Sequence, residues 1–180
     1  GFMLVDKQGT ILVRDINGHG QRISSANYCP ERKGFEICTT TYWGSQGIIY
    51  MHDCDGQEIW HKEMQCNGNV VAPVNWDGDG TELVLMNASP THGGLMNGGG
   101  DIVVPFPDDG HPELCAEVLD VTGDARDEII VWDRKKMYIY TQDRDVPASD
   151  KEYVPHKYPL YNSSNYRGEF SFPRWVSRTK

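Results

Sequence analysis

An all-β chain assembled from β-propeller blades is the fold this sequence predicts, on three observations. The first is an acidic turn set between short strands. It runs Val74-Asn75-Trp76-Asp77-Gly78-Asp79-Gly80-Thr81-Glu82-Leu83-Val84 and returns as Leu119-Asp120-Val121-Thr122-Gly123-Asp124-Ala125-Arg126-Asp127-Glu128-Ile129, with a degraded copy at Tyr28–Cys38. Reading Glu36, Glu82 and Glu128 as the openers of successive second strands gives a step of 46 residues each time. The second observation is another repeat: Asp6-Lys7-Gln8-Gly9 and Asp53-Cys54-Asp55-Gly56 are hairpin turns about one period apart. The third is the absence of 3.6-residue periodicity. Apolar runs are short, β-branched and aromatic, and are broken by Gly, Asp and Asn. Repeats of about 40–50 residues made of short strands are propeller blades, each a four-stranded antiparallel sheet.

Each element follows from that frame. Phe2–Val5 and Ile11–Arg14 form the outer hairpin of one blade. Gly18-His19-Gly20 crosses into the next, whose inner hairpin spans roughly Arg22–Thr41 and whose outer strands are Gly47–His52 and Glu58–Lys62. A third blade starts near Val70 and passes through the acidic turn to Asn87. Its outer half is expected to depart from the pattern, as a Gly-rich loop from Ser89 to Gly100 before a strand at Ile102–Pro105. A second crossover at Pro107–Pro112 leads to the inner hairpin 114–133 and a strand at Met137–Gln142. Residues 1–142 thus make about three blades, and 143–180 form an extended tail expected to pack on them. Closed propellers need about four to eight blades. The expectation is therefore an open arc, the C-terminal part of a larger propeller or one completed by another chain.

Composition narrows the classes of partner. With 26 acidic and 17 basic residues the net charge is −9, and no basic stripe exists for nucleic acid. No apolar run approaches membrane-spanning length. Five cysteines, an odd number without tight CxxC spacing, assign no disulfide. His52, Cys54, His61 and Cys66 resemble zinc-ligand types, but alternation along strands is expected to scatter them over both faces. Asn87-Ala88-Ser89 and Asn162-Ser163-Ser164 are glycosylation sequons.

Blade connectivity sorts these residues onto two faces. Strands run alternately up and down, so crossovers and the loops between second and third strands share one face. His19, Tyr42, Trp43, His92, Asn97, Asp108, Asp109 and His111 are expected there, with Arg22 nearby. His19 and His111 lie 92 residues apart, two periods, at equivalent crossovers. A Gly-His-Gly histidine equally serves to hydrogen-bond a neighbouring blade. Three histidines on one face with aromatics point towards a site. The acidic turns belong on the opposite face. Asp77, Asp79 and Glu82 offer hard oxygen ligands for Ca2+, as do Asp120, Asp124 and Asp127. The competing reading is a self-capping turn that needs no metal.

The run Val104-Pro105-Phe106-Pro107-Asp108-Asp109-Gly110-His111-Pro112-Glu113-Leu114-Cys115, the stretches Asp120–Asp124, Asp127–Asp133 and Tyr138–Gln142, and the tail motifs Pro159–Arg167 and Phe172–Trp175 resemble the C-terminal region of propeller polysaccharide lyases. The likeness is greatest to L-rhamnose-α-1,4-D-glucuronate lyases. Calcium-binding rhamnogalacturonan lyases are more distant, sharing the Gly18-His19-Gly20 crossover and the acidic turns. The resemblance covers most of the chain and implies a seven- or eight-bladed propeller, secreted or periplasmic. It also implies a plant-type acidic polysaccharide or oligosaccharide of rhamnose and uronate as substrate. Members usually carry an acidic residue or Asp-Arg after Gly-His-Gly, where this chain has Gln21-Arg22. The reaction implied is β-elimination from a uronate. A base removes the C5 proton, the carboxylate is neutralised, and the O4 bond breaks. His19 or His111 is the expected base and Arg22 the carboxylate partner, with calcium near the channel. Tyr42, Trp43, His92, Asn97 and Asp109 are the expected sugar contacts. A rhamnogalacturonan lyase and a non-catalytic glycan-binding propeller are the competing readings.

Overall fold

A computed structural model describes residues 1–42, 47–63, 70–113, 115–146, 151–153, 173 and 175–177. The described residues form fifteen β-strands and no helix, so the all-β class stands. Strands β1 (Phe2–Val5) and β2 (Ile11–Asp15) make a hairpin. Strands β3 (Gly20–Ala26), β4 (Glu36–Thr41), β5 (Ile48–His52) and β6 (Glu58–Glu63) make a four-stranded sheet in chain order. A second such sheet contains β7 (Ala72–Val74), β8 (Leu83–Leu85), β9 (Leu95–Met96) and β10 (Ile102–Val104). Three strands follow, β11 (Cys115–Leu119), β12 (Glu128–Trp132) and β13 (Met137–Tyr140), and β14 (Lys151–Tyr153) pairs with β15 (Trp175–Ser177). All pairings are antiparallel.

The sheets pack face to face. Side chains alternate along a strand, so each strand serves two layers. In β8, Val84 enters a core with Ala26, Cys38, Ile49 and Met51, whereas Leu83 and Leu85 enter another with Ala116, Val118, Ile129 and Val131. The β7–β10 sheet is thus covered on both faces, and β7 and β8 are buried along their whole length. Between sheets the first strands lie against each other, β3 with β7 and β7 with β11. The β1–β2 hairpin covers the far side of β3–β6. Phe2 meets the His52 ring edge-on at 4.7 Å, and Val13 fills the space beside Gly56.

A polar joint repeats between neighbouring sheets. Glu82 donates its N–H to the Asn27 carbonyl at 3.0 Å, and its carboxylate accepts the Asn27 N–H at 2.8 Å. Asn27 Nδ2 donates to the Gly80 carbonyl at 2.8 Å. Asp127, Asn75 and Ala125 reproduce all three bonds, at 3.0, 2.8 and 2.8 Å. The acidic turns therefore tie one sheet to the next, with Glu82, Asn75 and Asp127 buried and Asn27 and Ala125 half-buried.

The pairing register corrects the uniform step expected from the sequence. Ala26 lies opposite Glu36, Val74 opposite Leu83, and Leu119 opposite Glu128. Glu36, Leu83 and Glu128 are thus equivalent, at steps of 47 (83 − 36) and 45 (128 − 83). Glu82 is instead the counterpart of Asp127. Both reach back to the preceding sheet, whereas Glu36 and Glu128 accept N–H groups of their own turns, from Cys29 and from Val121 and Thr122.

The expected departure in the third blade is also corrected. Asp6 and Asp53 each accept N–H groups from two and four residues on through Oδ1, at 2.8–3.0 Å. Asn97 does the same for Gly99 and Asp101, at 3.0 Å each. Asn97-Gly98-Gly99-Gly100 is the outer-hairpin turn again. Gly98 answers to close packing, since a Cβ there would stand 2.3 Å from the Tyr28 carbonyl oxygen. Trp60 Nε1 and Lys62 Nζ of the neighbouring sheet donate to the carbonyls of Gly98 and Gly100, at 2.8 and 3.0 Å. The expected packing of the 143–180 tail falls mostly on residues outside those described.

Candidate functional site

Strand direction and the two joints decide which side chains share an end of the stack. The joints bring together the turns that follow β3, β7 and β11, so these strands enter from one common end. His19 precedes β3, Tyr42 follows β4, the loop 86–94 carries His92, and the crossing after β10, at 105–113, carries Asp109 and His111. All lie at the entry end. Asn97 does not. β9 ends at Met96, so Asn97 heads the turn after that strand and sits at the opposite end, with Asp6, Asp53 and the acidic turns. Trp43 lies outside the described residues.

Two sets of contacts form at the entry end. In the first, Gly18 takes a positive φ of 103° to turn the chain into β3. The His19 carbonyl then accepts the Tyr42 N–H at 3.1 Å, which holds both residues at the mouth of the β3–β4 pair. Arg22 pairs with Thr40 and shares the sheet face of Ser24 and Cys38, the face turned towards β7–β10. His19 and Tyr42 are exposed and Arg22 is half-buried. An imidazole, a phenol and a guanidinium thus lie within one short stretch of sheet edge.

The second set centres on His111. Its Nδ1–H donates to Asp109 Oδ1 at 2.8 Å and its Nε2–H to the Ala88 carbonyl at 2.7 Å. A carbonyl and a carboxylate only accept, so the ring carries both protons. Burial alone would lower its pKa. The Ala88 carbonyl and the Asp109 carboxylate outweigh that and raise it above 6.5. Desolvation would raise the Asp109 carboxyl, but hydrogen bonds from His111 and Tyr140 hold it below its ordinary range. Tyr140 donates its hydroxyl to Asp109 at 3.0 Å, and Phe106 lies 5.2 Å from the imidazole, ring to ring. A ring held in this way has no lone pair with which to accept a proton. Sequence reasoning missed Tyr140 and Phe106 as partners of His111. The signal was the Tyr138-Ile139-Tyr140 alternation, which puts both phenols on one face of β13.

The carboxylates proposed for calcium are engaged by the fold. Asp79 accepts the Thr81 N–H at 2.8 Å, and Glu82 belongs to the joint. Asp120 accepts the N–H groups of Gly123 and Ala125, and Asp127 that of Asn75. Asp124 pairs with the buried Arg126 guanidinium, which holds its carboxyl below the usual range. Asp77 is exposed at the turn's surface. Among the described residues no three His, Cys, Asp or Glu side chains converge as metal ligands. These backbone bonds are those of self-capping turns.

Two further expectations meet the structure here. Asn87 is 7% exposed, and its Oδ1 accepts the Ser89 N–H, so its sequon is closed in the fold. His52 and His61 share one face rather than being scattered, with Tyr50 between them at 5.9 and 5.5 Å. His52 Nε2 faces Asp15 and His61 Nδ1 faces Glu58. Cys66 lies outside the described residues. Compared with family models, with curated proteins and with solved structures, the chain matches none.

Proposed function

We propose that the chain is an arc of a β-propeller and belongs to a polysaccharide lyase that eliminates rhamnose from O4 of a uronate. The observation that carries this reading is the grouping of His19, Tyr42 and Arg22 at the entry end of β3–β4. Four-stranded meanders whose first strands lie against one another support the propeller reading. The resemblance of the crossover and tail motifs supplies the substrate class, an acidic oligosaccharide ending in rhamnosyl-(1→4)-glucuronate.

The base is His19. His111 is set aside, because both its nitrogens are donors. His19 takes the C5 proton, and Arg22 lies against the C6 carboxylate and stabilises the enolate that forms. The C4–O4 bond then breaks. Its electron pair leaves with the bridging oxygen, which takes a proton from water, and a C4=C5 double bond remains in the uronate.

Variants test the roles of the two groups. Losing a general base costs about 10²–10⁴-fold in rate. His19→Ala is therefore expected to lower the growth of unsaturated-uronate absorbance by that order. Arg22→Ala raises KM as well as lowering kcat, because it acts on a charge present before the transition state. His111→Gln, folded by circular dichroism, keeps the wild-type rate. A folded His19→Ala protein at full rate overturns the assignment. The second reading is a non-catalytic glycan-binding propeller, favoured by the use of His111 and the acidic turns for cohesion. It predicts sugar binding with no absorbance change.

A further inference from the structure

We infer that the turn from Tyr28 to Glu36 is a proton-operated latch, closed while Glu36 is a neutral acid and released when it ionises. The latch acts on cohesion between two sheets and is independent of the proposed reaction.

Two equivalent glutamates differ in what surrounds them. Register makes Glu36 of β4 the counterpart of Glu128 of β12, and the two are 0% and 1% exposed. Glu128 has four donors. Its Oε2 accepts the N–H groups of Val121 and Thr122 at 2.8 and 3.2 Å, and its Oε1 accepts the hydroxyls of Thr122 and Thr141 at 3.1 Å each. Glu36 has one. Its Oε2 accepts the Cys29 N–H at 2.9 Å, and its buried Oε1 has no partner. A carboxylate buried with a single donor is strongly disfavoured, whereas the neutral acid is tolerated.

Residue type accounts for the difference. Ala26 and Leu119 are equivalent, so Cys29 stands in the place of Thr122, three residues on. Its thiol is a weak donor where the other turn has a hydroxyl. Thr141 follows Tyr140, the partner of Ile129, and Asp53 follows His52, the partner of Ile37. Asp53 Oδ1 already accepts the N–H groups of Asp55 and Gln57. An acceptor-only carboxylate thus replaces the second hydroxyl.

The charges nearby act in the same direction. Burial raises the Glu36 pKa, backbone N–H groups, that of Cys29 foremost, oppose this, and the charge of Glu31 adds to it, leaving it above the ordinary 4.5. The other titratable groups at the turn are Tyr28 and Cys29, with Asp53 and Cys54 from the β5–β6 turn and Glu82 of the next sheet beside Tyr28. None of these is a cation, and Arg32 and Lys33 of the turn are exposed. The closed turn binds the proton more tightly than the open one. The latch is therefore fully engaged below 4.5 and is lost as pH rises through the higher folded value. Asn27 seats Glu82, and the Tyr28 carbonyl lies against Gly98, so release of the turn loosens the contact with the β7–β10 sheet.

Amide hydrogen exchange at Cys29, read by NMR and corrected for the intrinsic rate, tests the latch, because that N–H is bonded to Glu36 itself. Its protection is expected to fall by up to about tenfold per pH unit between the ordinary carboxyl value and the folded one. The Val121 and Thr122 amides, bonded to Glu128, keep theirs over the same range. In Glu36→Gln, which cannot ionise, Cys29 protection no longer follows pH in this way. An NMR titration of the wild-type Glu36 carboxyl carbon needs no variant and is expected to give a pKa above 4.5. A carboxyl that titrates at or below 4.5 overturns the inference. So does Cys29 protection that is flat with pH in the wild type, or that falls equally in Glu36→Gln.

Discussion

His111 shows how a single ring can look catalytic in a sequence and be structural in the fold. Its spacing from His19 marks it as a crossover residue, and its hydrogen bonds make it a bridge between the loop at Ala88 and the crossing at Asp109. The pKa is raised, so the folded state binds the proton more tightly than the unfolded chain does. The stability that the ring contributes is therefore fully present below the unfolded pKa of about 6.5 and is lost as pH rises through the higher folded value. The Asp109 carboxyl is lowered, so its share is present above the unfolded carboxyl range and is lost as pH falls through the folded value. The groups facing the ring are Asp109, the Ala88 carbonyl, Tyr138 and Tyr140, with Glu113 acting through its charge. An NMR titration is expected to place the His111 pKa above 6.5. The wild-type urea midpoint is then expected to fall as pH rises through the His111 pKa, and that of His111→Gln to lack this slope. A ring titrating below 6.5 would contradict the doubly donating geometry.

At the scale of the element, the recurring device is the joint in which an Asn after the first strand seats the next sheet's acidic turn. Gly80 and Ala125 occupy the same place in it, and both have positive φ, at 86° and 70°. A left-handed residue with a Cβ costs about 1–2 kcal/mol, partly offset by the greater freedom of glycine in the unfolded chain. Ala125→Gly is therefore expected to stabilise the protein by roughly 0.5 kcal/mol, and Gly80→Ala to destabilise it by a similar amount or more. Asn75→Ala removes the bond to Ala125 and should cost about 1 kcal/mol. Opposite signs at positions 80 and 125 in urea unfolding check the equivalence. Equal signs would break it. Strand segments and hairpin turns were legible in the sequence because Gly, Asp and β-branched residues constrain the backbone locally. The register of Glu82 was not, because Glu82 and Glu128 look alike while bonding in opposite directions. Asn97 hid for a related reason. An amide caps the turn as an aspartate does, but Gly98 after it is required by Tyr28 and Cys29, which are distant in sequence.

For the whole molecule, sheets stacked with their first strands together place one set of chain reversals at each end. The end with the acidic turns is occupied with cohesion, and the end with His19, Arg22 and Tyr42 presents exposed polar chemistry beside a half-buried guanidinium. That division was legible from connectivity, since strand direction alone separates the two ends. The roles of individual histidines were not, because hydrogen-bond partners such as the Ala88 carbonyl leave no trace in residue type. The central claim is that the entry end supports elimination from a uronate. The most direct measurement is mass analysis of products after incubation with an oligosaccharide ending in rhamnosyl-(1→4)-glucuronate. The account predicts free rhamnose together with a uronate lighter by one water than hydrolysis would leave, carrying the ultraviolet absorbance of a C4=C5 double bond. Intact substrate, or rhamnose released with a saturated uronate, would contradict it.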